Sequence, residues 1–211
     1  AQDPSRIWVV FLGGTMRSFD PDPSVVVEDQ RGQRVHHRAL EQSARMQRKL
    51  YAVRPGVWTL VGNGLSNQSF IEGPEGIIAI DTGESQEEMA SALKSLREQT
   101  STPVVAVLYT HFHYVGGTKA ILQAEGRDLL ILGHERIDLN LARVASEIGP
   151  AYSSGLIHQF GLRMPDEGPD GVVNMGLGLV FRDASHAPFT PGYLSPTETF
   201  RGGEILTVAG L

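Results

Sequence analysis

The sequence contains no cysteine among its 211 residues, so disulfide scaffolds, thiol nucleophiles and cysteine-ligated zinc are excluded. Positive charge is also in short supply. Eighteen Lys and Arg stand against 24 Asp and Glu, a formal net charge of −6. Such a chain lacks the broad electropositive surface that drives binding to a phosphate backbone, and nucleic acid is not an expected partner. Long hydrophobic runs are missing too. The longest, such as Val104–Tyr109, are strand-length and far short of the roughly 18–20 residues of a membrane span. Serine-nucleophile elbows, P-loops and dinucleotide fingerprints are likewise absent. What remains is a composition of ordinary globular type, 41% hydrophobic and 20% charged. The opening Ala1-Gln2-Asp3-Pro4, without an initiator Met, suits a mature chain after a small-residue cleavage site, and a periplasmic or secreted location is expected.

Residues 1–55 read as an N-terminal extension. Ser18–Ser24 carries two prolines, and Gln30–Lys49 is polar with only a thin apolar stripe of Ala39, Met46 and Leu50. Residues 56–211 carry the stronger signals. Val57–Val61, Gln68–Glu72 and Ile77–Ile80 are short β-rich segments between turn residues, which predicts a strand meander. Ser85 with Glu88 three residues on forms a capping box for a helix that buries Met89, Leu93 and Leu96. Val104–Tyr109 reads as a strand covered on both faces. Gly116-Gly117 leads into a helix with Ala120, Ile121 and Ala124, and Leu129–Leu132 is a further strand. Ile137, Leu141, Val144 and Ile148 predict one amphipathic helix. Residues 164–178 and 184–197 are Gly- and Pro-rich loops, and Ile205–Ala209 reads as a strand. Strands alternating with helices after a meander indicate an α/β layered fold.

The most informative stretch is Tyr109-Thr110-His111-Phe112-His113-Tyr114-Val115-Gly116-Gly117. Two histidines at i and i+2 beyond a buried strand project to one side, where two neutral imidazoles can converge on a metal ion. The carboxyl end of a central strand is also where α/β folds place ligands. The alternative is a pair of partly buried histidines bonded to backbone. His134, His158 and His186 lack partners at ligand spacing and read as helix-capping or surface residues.

This string resembles the THxHxDHxGG metal motif of the metallo-β-lactamase superfamily. Ser66–Ile71 followed by Gly76–Thr82 resembles the same family upstream. The resemblance implies an αββα sandwich, of which this chain carries the N-terminal half. It also gives Asp81 the place of an aspartate that steadies the metal-binding loop from behind the ligands, a role that competes with helix capping. His134-Glu135-Arg136, Gln159-Phe160-Gly161, Met164-Pro165 through Gly171, Gly176-Leu177-Gly178 and Ser195-Pro196-Thr197 resemble the alkylsulfatase branch. That resemblance implies cleavage of a sulfate ester whose apolar chain lies in a hydrophobic pocket.

Two departures bear on chemistry. Val115 and Gly116 stand where the motif has Asp and its third His, or those two ligands are missing outright; neither side chain can coordinate a cation. His111 and His113 therefore imply one divalent ion rather than two, zinc first, with other divalent metals possible. The family's remaining ligands come from the second half of the sandwich, so a complementary polypeptide carrying that half is expected. The expected function is a metal-dependent hydrolase of a small-molecule ester, acting as part of a two-chain or cleaved enzyme. The alternative is a non-catalytic structural or regulatory subunit that keeps the fold. Tyr114, beside the lost ligands, is expected to contact substrate or to fill their space.

Overall fold

The computed structural model describes the backbone of residues 9–11 and 14–16, and residues 22–211 in full. The Ala1–Pro4 start and most of Ser18–Ser24 lie outside the described residues. Two small antiparallel ribbons come first, β1 (Val9–Phe11) with β2 (Gly14–Met16) and β3 (Val26–Glu28) with β4 (Arg34–His36), followed by α1 (His37–Arg45). The main body is a seven-stranded sheet. Its antiparallel part is β5 (Lys49–Arg54), β6 (Val57–Val61), β7 (Gln68–Gly73) and β8 (Gly76–Ile80). Its parallel part continues from β8 to β9 (Val104–Leu108), β10 (Leu130–His134) and β11 (Glu198–Phe200). The sheet thus takes in Lys49–Arg54, ahead of residue 56.

The parallel steps need crossovers, and α2 (Gln86–Arg97) and α3 (Thr118–Glu125) supply the first two on one face. Met89, Leu93 and Leu96 of α2 and Ala120 and Ile121 of α3 pack on Trp58, Leu60, Phe70, Ile77, Ala79, Val104 and Val107. Alternation in β6 sends Trp58 and Leu60 into this core and leaves Val57, Thr59 and Val61 half-buried on the opposite side. The α4 (Ile137–Ser146) and α5 (Gly149–Gln159) helices follow β10. The single helix expected through Ile148 is broken there. Pro150 sits in the first turn of α5, where its missing N–H costs nothing, and Ile148 is left exposed.

The sheet's second face departs most from expectation. The strand registers place Ile71, Ile78, Ala106 and Leu130 in one cross-strand row and Tyr51, Thr59, Ser69, Ile80 and Leu108 in the next. Among the described residues, Val208 and Ala209 are the only ones from outside the sheet clustered with Ile78 and Ala106 on this side, so β9 is fully covered on one face and only partly on the other. Ile205–Ala209 forms no strand. The Glu204 carboxylate folds back to accept from the Arg201 and Gly202 backbone N–H groups at 2.9 and 2.7 Å. Ile205 is 98% exposed, and Ala209 O accepts from Glu75 N at 3.1 Å.

The long loops are tied to the segment that precedes the sheet. Gln33, fully buried, donates from Nε2 to Asp166 O (2.7 Å) and Val172 O (2.9 Å), and Asn174 Nδ2 donates to Ser43 Oγ (2.8 Å). These anchors set the loop that carries Phe181 and Arg182 beside the ends of β8 and β9.

Candidate metal centre

The site begins where β8 and β9, parallel neighbours, both end. Asp81 follows β8 with φ +56°, a left-handed conformation that aspartate tolerates better than most residues, and its N–H donates to Leu108 O at 3.0 Å. This bend turns its buried carboxylate across to the neighbouring strand. Oδ1 accepts from Thr110 N at 2.9 Å and Oδ2 from the Thr110 hydroxyl at 2.6 Å. Thr110 Oγ1 lies 2.8 Å from His111 Nδ1. A hydroxyl has one proton and an ionised carboxylate can only accept, so Thr110 gives its proton to Asp81 and accepts from His111 Nδ1–H. That fixes the tautomer and leaves the Nε2 lone pair of His111 free for a cation.

Asp81→Asn tests this chain of bonds. The amide nitrogen would donate to Thr110 Oγ1, turn the hydroxyl proton toward His111 Nδ1 and move the imidazole proton to Nε2. Metal affinity is expected to fall by about 10–100-fold with little loss of fold, since asparagine also accepts the left-handed backbone. Isothermal titration with zinc, beside a thermal melt, measures both effects.

His113 lies beside His111, with ring centroids 5.1 Å apart and planes at 71°. Its Nε2 is 3.0 Å from the phenol oxygen of Tyr152 on α5. Tyr114 has φ +45°, which turns the chain sharply so that its carbonyl accepts from Thr82 N at 2.7 Å. Its ring packs edge-on to His111 at 5.4 Å and tilted to His113 at 6.0 Å. Burial, reinforced by His111, pushes the His113 pKa down, which favours the neutral ligand form. Burial also raises the Tyr114 phenol.

These three residues line a cleft of about 530 Å³ with Glu84, Tyr152 and Arg182. Leu65, Leu156, Phe160, Leu177 and Phe181 form its apolar wall. Arg182 Nε sits 3.6 Å from Glu84 Oε2, with its guanidinium over the Phe181 and Phe189 rings. Burial raises the Glu84 pKa, and Arg182 opposes that rise.

The glycine pair seats the loop against the start of α2. Gly116 N donates to Gly83 O at 2.8 Å, and a Cβ on Gly117 would lie 2.1 Å from Thr82 O. Glu88 braces the same turn from below. Ser85 Oγ accepts from Glu88 N at 3.2 Å as the capping box requires, but the Glu88 carboxylate goes to Glu84 N (3.0 Å) and Gln68 Nε2 (2.8 Å) instead of Ser85 N. Burial pushes this carboxyl up to about 7.

Val115 is packed into the hydrophobic core and Gly116 has no side chain, so neither adds a donor. Among the described residues no group of three or more His, Asp or Glu is arranged around one point. Two neutral imidazoles fit part of a zinc centre, the nitrogen part. His134 accepts from Arg136 N at 3.1 Å, a local turn bond, and His158 is exposed. His186 corrects the surface expectation: it is buried in a short turn and lines none of the cleft described above. Thr110, Glu84, Tyr152 and Arg182 were not predicted from sequence. Thr110 adjoins the histidines and was within reach; Tyr152 and Arg182 arrive through long-range packing with no local signal.

The metallo-β-lactamase superfamily model matches residues 61–126, a span that holds Asp81, both histidines and the glycine pair. A linear primary-alkylsulfatase from a Pseudomonas strain is 32% identical over 146 residues, 67% of this chain and 26% of that protein. Another, from Pseudomonas sp., is 28% identical over 169 residues, 77% and 24%. The solved stereoselective inverting sec-alkylsulfatase Pisa1 from Pseudomonas sp. shares the fold with a TM-score of 0.66 at 24% identity, over 77% of this chain and 26% of that one. The chain belongs to the metallo-β-lactamase superfamily. Within it the chain falls in the alkylsulfatase-like branch, and it spans about a quarter of the length of those relatives. Among the described residues no helix is long and apolar enough to cross a membrane.

Proposed function

We propose that this chain is part of a metal-dependent hydrolase of a sulfate-type ester, with one divalent ion, zinc first, held by His111 and His113. The observation that carries this reading is the Asp81–Thr110–His111 relay, which leaves the Nε2 lone pair of His111 free, with the His113 ring beside it in the lining of the same cleft. When bound, a divalent ion lowers the pKa of a water and polarises an ester oxygen. The chain's own residues do the rest. Asp81 and Thr110 orient His111. Arg182 offers positive charge to an anionic ester head, and the Leu65, Leu156, Phe160, Leu177 and Phe181 wall takes the hydrocarbon away from water. Tyr114, packed against both imidazoles, contacts the substrate next to the reacting bond.

Two donors do not complete a centre, and among the described residues the sheet's second face carries Ile71, Ile78, Ile80, Leu108 and Leu130 under thin cover. Both features fit a second β-layer from a complementary polypeptide, which supplies the remaining ligands. Val115 in the core favours a second reading, a non-catalytic subunit that keeps the fold.

Hydrolysis of a long-chain alkyl sulfate by the assembled protein tests the proposal. Activity that vanishes on chelation and returns with zinc is expected. Activity that survives complete metal removal contradicts it, and an assembled protein inactive with and without metal supports the subunit reading.

A further inference from the structure

We infer that Glu84 sets the charge selectivity of the cleft: its carboxylate beside Arg182 admits a head group with one negative charge and disfavours one with two. The inference rests on the reading above that Arg182 receives the anionic head. Among the described residues that line the cleft, Arg182 is the only lysine or arginine and Glu84 the only carboxylate. Arg182 Nε lies 3.6 Å from Glu84 Oε2, so the ionised pair carries no net charge. The pair engages Nε, and neither Nη group takes part in it.

Each partner is held from its own side. The Glu84 N–H donates to Glu88 Oε2 at 3.0 Å, and a Cβ on Gly116 would lie 2.2 Å from the Glu84 carbonyl oxygen. Those contacts fix the backbone and leave the carboxylate to Arg182. The guanidinium lies over the Phe181 and Phe189 rings, 5.6 and 5.4 Å from their centroids. Other carboxylates nearby are engaged elsewhere. Glu88 accepts from Gln68 Nε2 at 2.8 Å below the turn, Asp183 accepts from Ser185 N at 2.8 Å, and neither lines the cleft. Coulomb energy scales with the product of the charges. A carboxylate about 6 Å from the head group, in a water-like dielectric, weakens binding of a monoanion about threefold and of a dianion about tenfold. Arg182 acts in the opposite sense, so the two effects nearly cancel. What remains is desolvation, which costs a dianion more. The cleft therefore favours a sulfate monoester over a phosphate monoester with the same tail.

Octyl sulfate and octyl phosphate share a tail and at about pH 8 carry one and two charges. Isothermal titration of the full chain with each, in a chelator that removes any metal contribution, compares them. The wild-type chain is expected to bind octyl sulfate more tightly. Glu84→Gln, which keeps the side chain's shape, is expected to gain about threefold in affinity for octyl sulfate and about tenfold for octyl phosphate. A general disturbance of the cleft lowers both affinities and produces no gain graded by charge. A wild-type preference for octyl phosphate, or a Glu84→Gln chain whose gain is no larger for phosphate than for sulfate, overturns the role of Glu84 alone. A wild-type chain that does not bind octyl sulfate, or an Arg182→Gln chain that binds both ligands undiminished, overturns the head-group reading and this inference with it.

Discussion

Replacing His111 and His113 together with alanine is expected to bring bound metal down to background and to slow ester hydrolysis by about 10³-fold. The magnitude follows from the several kcal/mol that a bound cation contributes to transition-state charge, at 1.36 kcal/mol per tenfold in rate. On the proposed function the loss falls mainly on kcat, because the apolar wall of Leu156, Phe160, Leu177 and Phe181 is untouched and would still hold an alkyl tail in the ground state. Stability should change little. His111 is exposed and His113 half-buried, and the loop that carries them is held by backbone and hydroxyl groups: Thr110 on Asp81, the Tyr114 carbonyl on Thr82, and Gly116 on Gly83. Metal analysis, steady-state kinetics and a urea melt on the same preparation separate these effects. A double variant with wild-type metal content would show that the ion sits elsewhere.

The glycine pair carries the opposite kind of sensitivity. Gly117→Ala is expected to destabilise the protein by about 3 kcal/mol or more. A Cβ there would lie 2.1 Å from Thr82 O, 2.4 Å from Met89 Cβ and 2.9 Å from Ser85 O. Two of those atoms are backbone at the strand end and at the cap of α2, and Met89 is fully buried, so none can withdraw cheaply. The backbone of Gly117 is ordinary (φ −100°), so the cost is one of space alone. Gly126 provides the contrast. It ends α3 with φ +61°, and a Cβ there would meet nothing within 4 Å, so Gly126→Ala should cost only about 1 kcal/mol from backbone strain. Urea midpoints for the two variants check the difference.

The glycine pair was legible in the sequence because its constraint is local: the turn, the helix start and the strand before it all lie within a dozen residues. The same holds for α2 and α3, whose apolar spacing at three and four matched the buried Met89, Leu93, Leu96 and Ile121. The break between α4 and α5 was signalled by Gly149-Pro150, but the regular spacing of Ile137, Leu141, Val144 and Ile148 runs straight through it. Periodicity reports where apolar residues fall on a helix and carries no information on whether the backbone continues. Val104–Leu108 shows a different limit. A continuous apolar strand is what two covered faces require, and the sequence cannot say whether the cover lies within the same stretch of chain; among the described residues one face has α2 and α3 and the other little more than Val208 and Ala209. The candidate site divides in the same way. His111, His113 and Asp81 stand at strand ends, where local pattern and family resemblance point. Tyr152 reaches His113 from 39 residues away, and Arg182 reaches Glu84 along a loop pinned by Gln33 and Asn174; such contacts depend on tertiary packing.

An anomalous difference map from crystals of the zinc-loaded protein, collected at the zinc absorption edge, puts the central claim to the most direct trial. A single peak about 2.0–2.1 Å from a ring nitrogen of both His111 and His113 is the expected result. Two imidazoles turned apart with no peak between them would contradict the account.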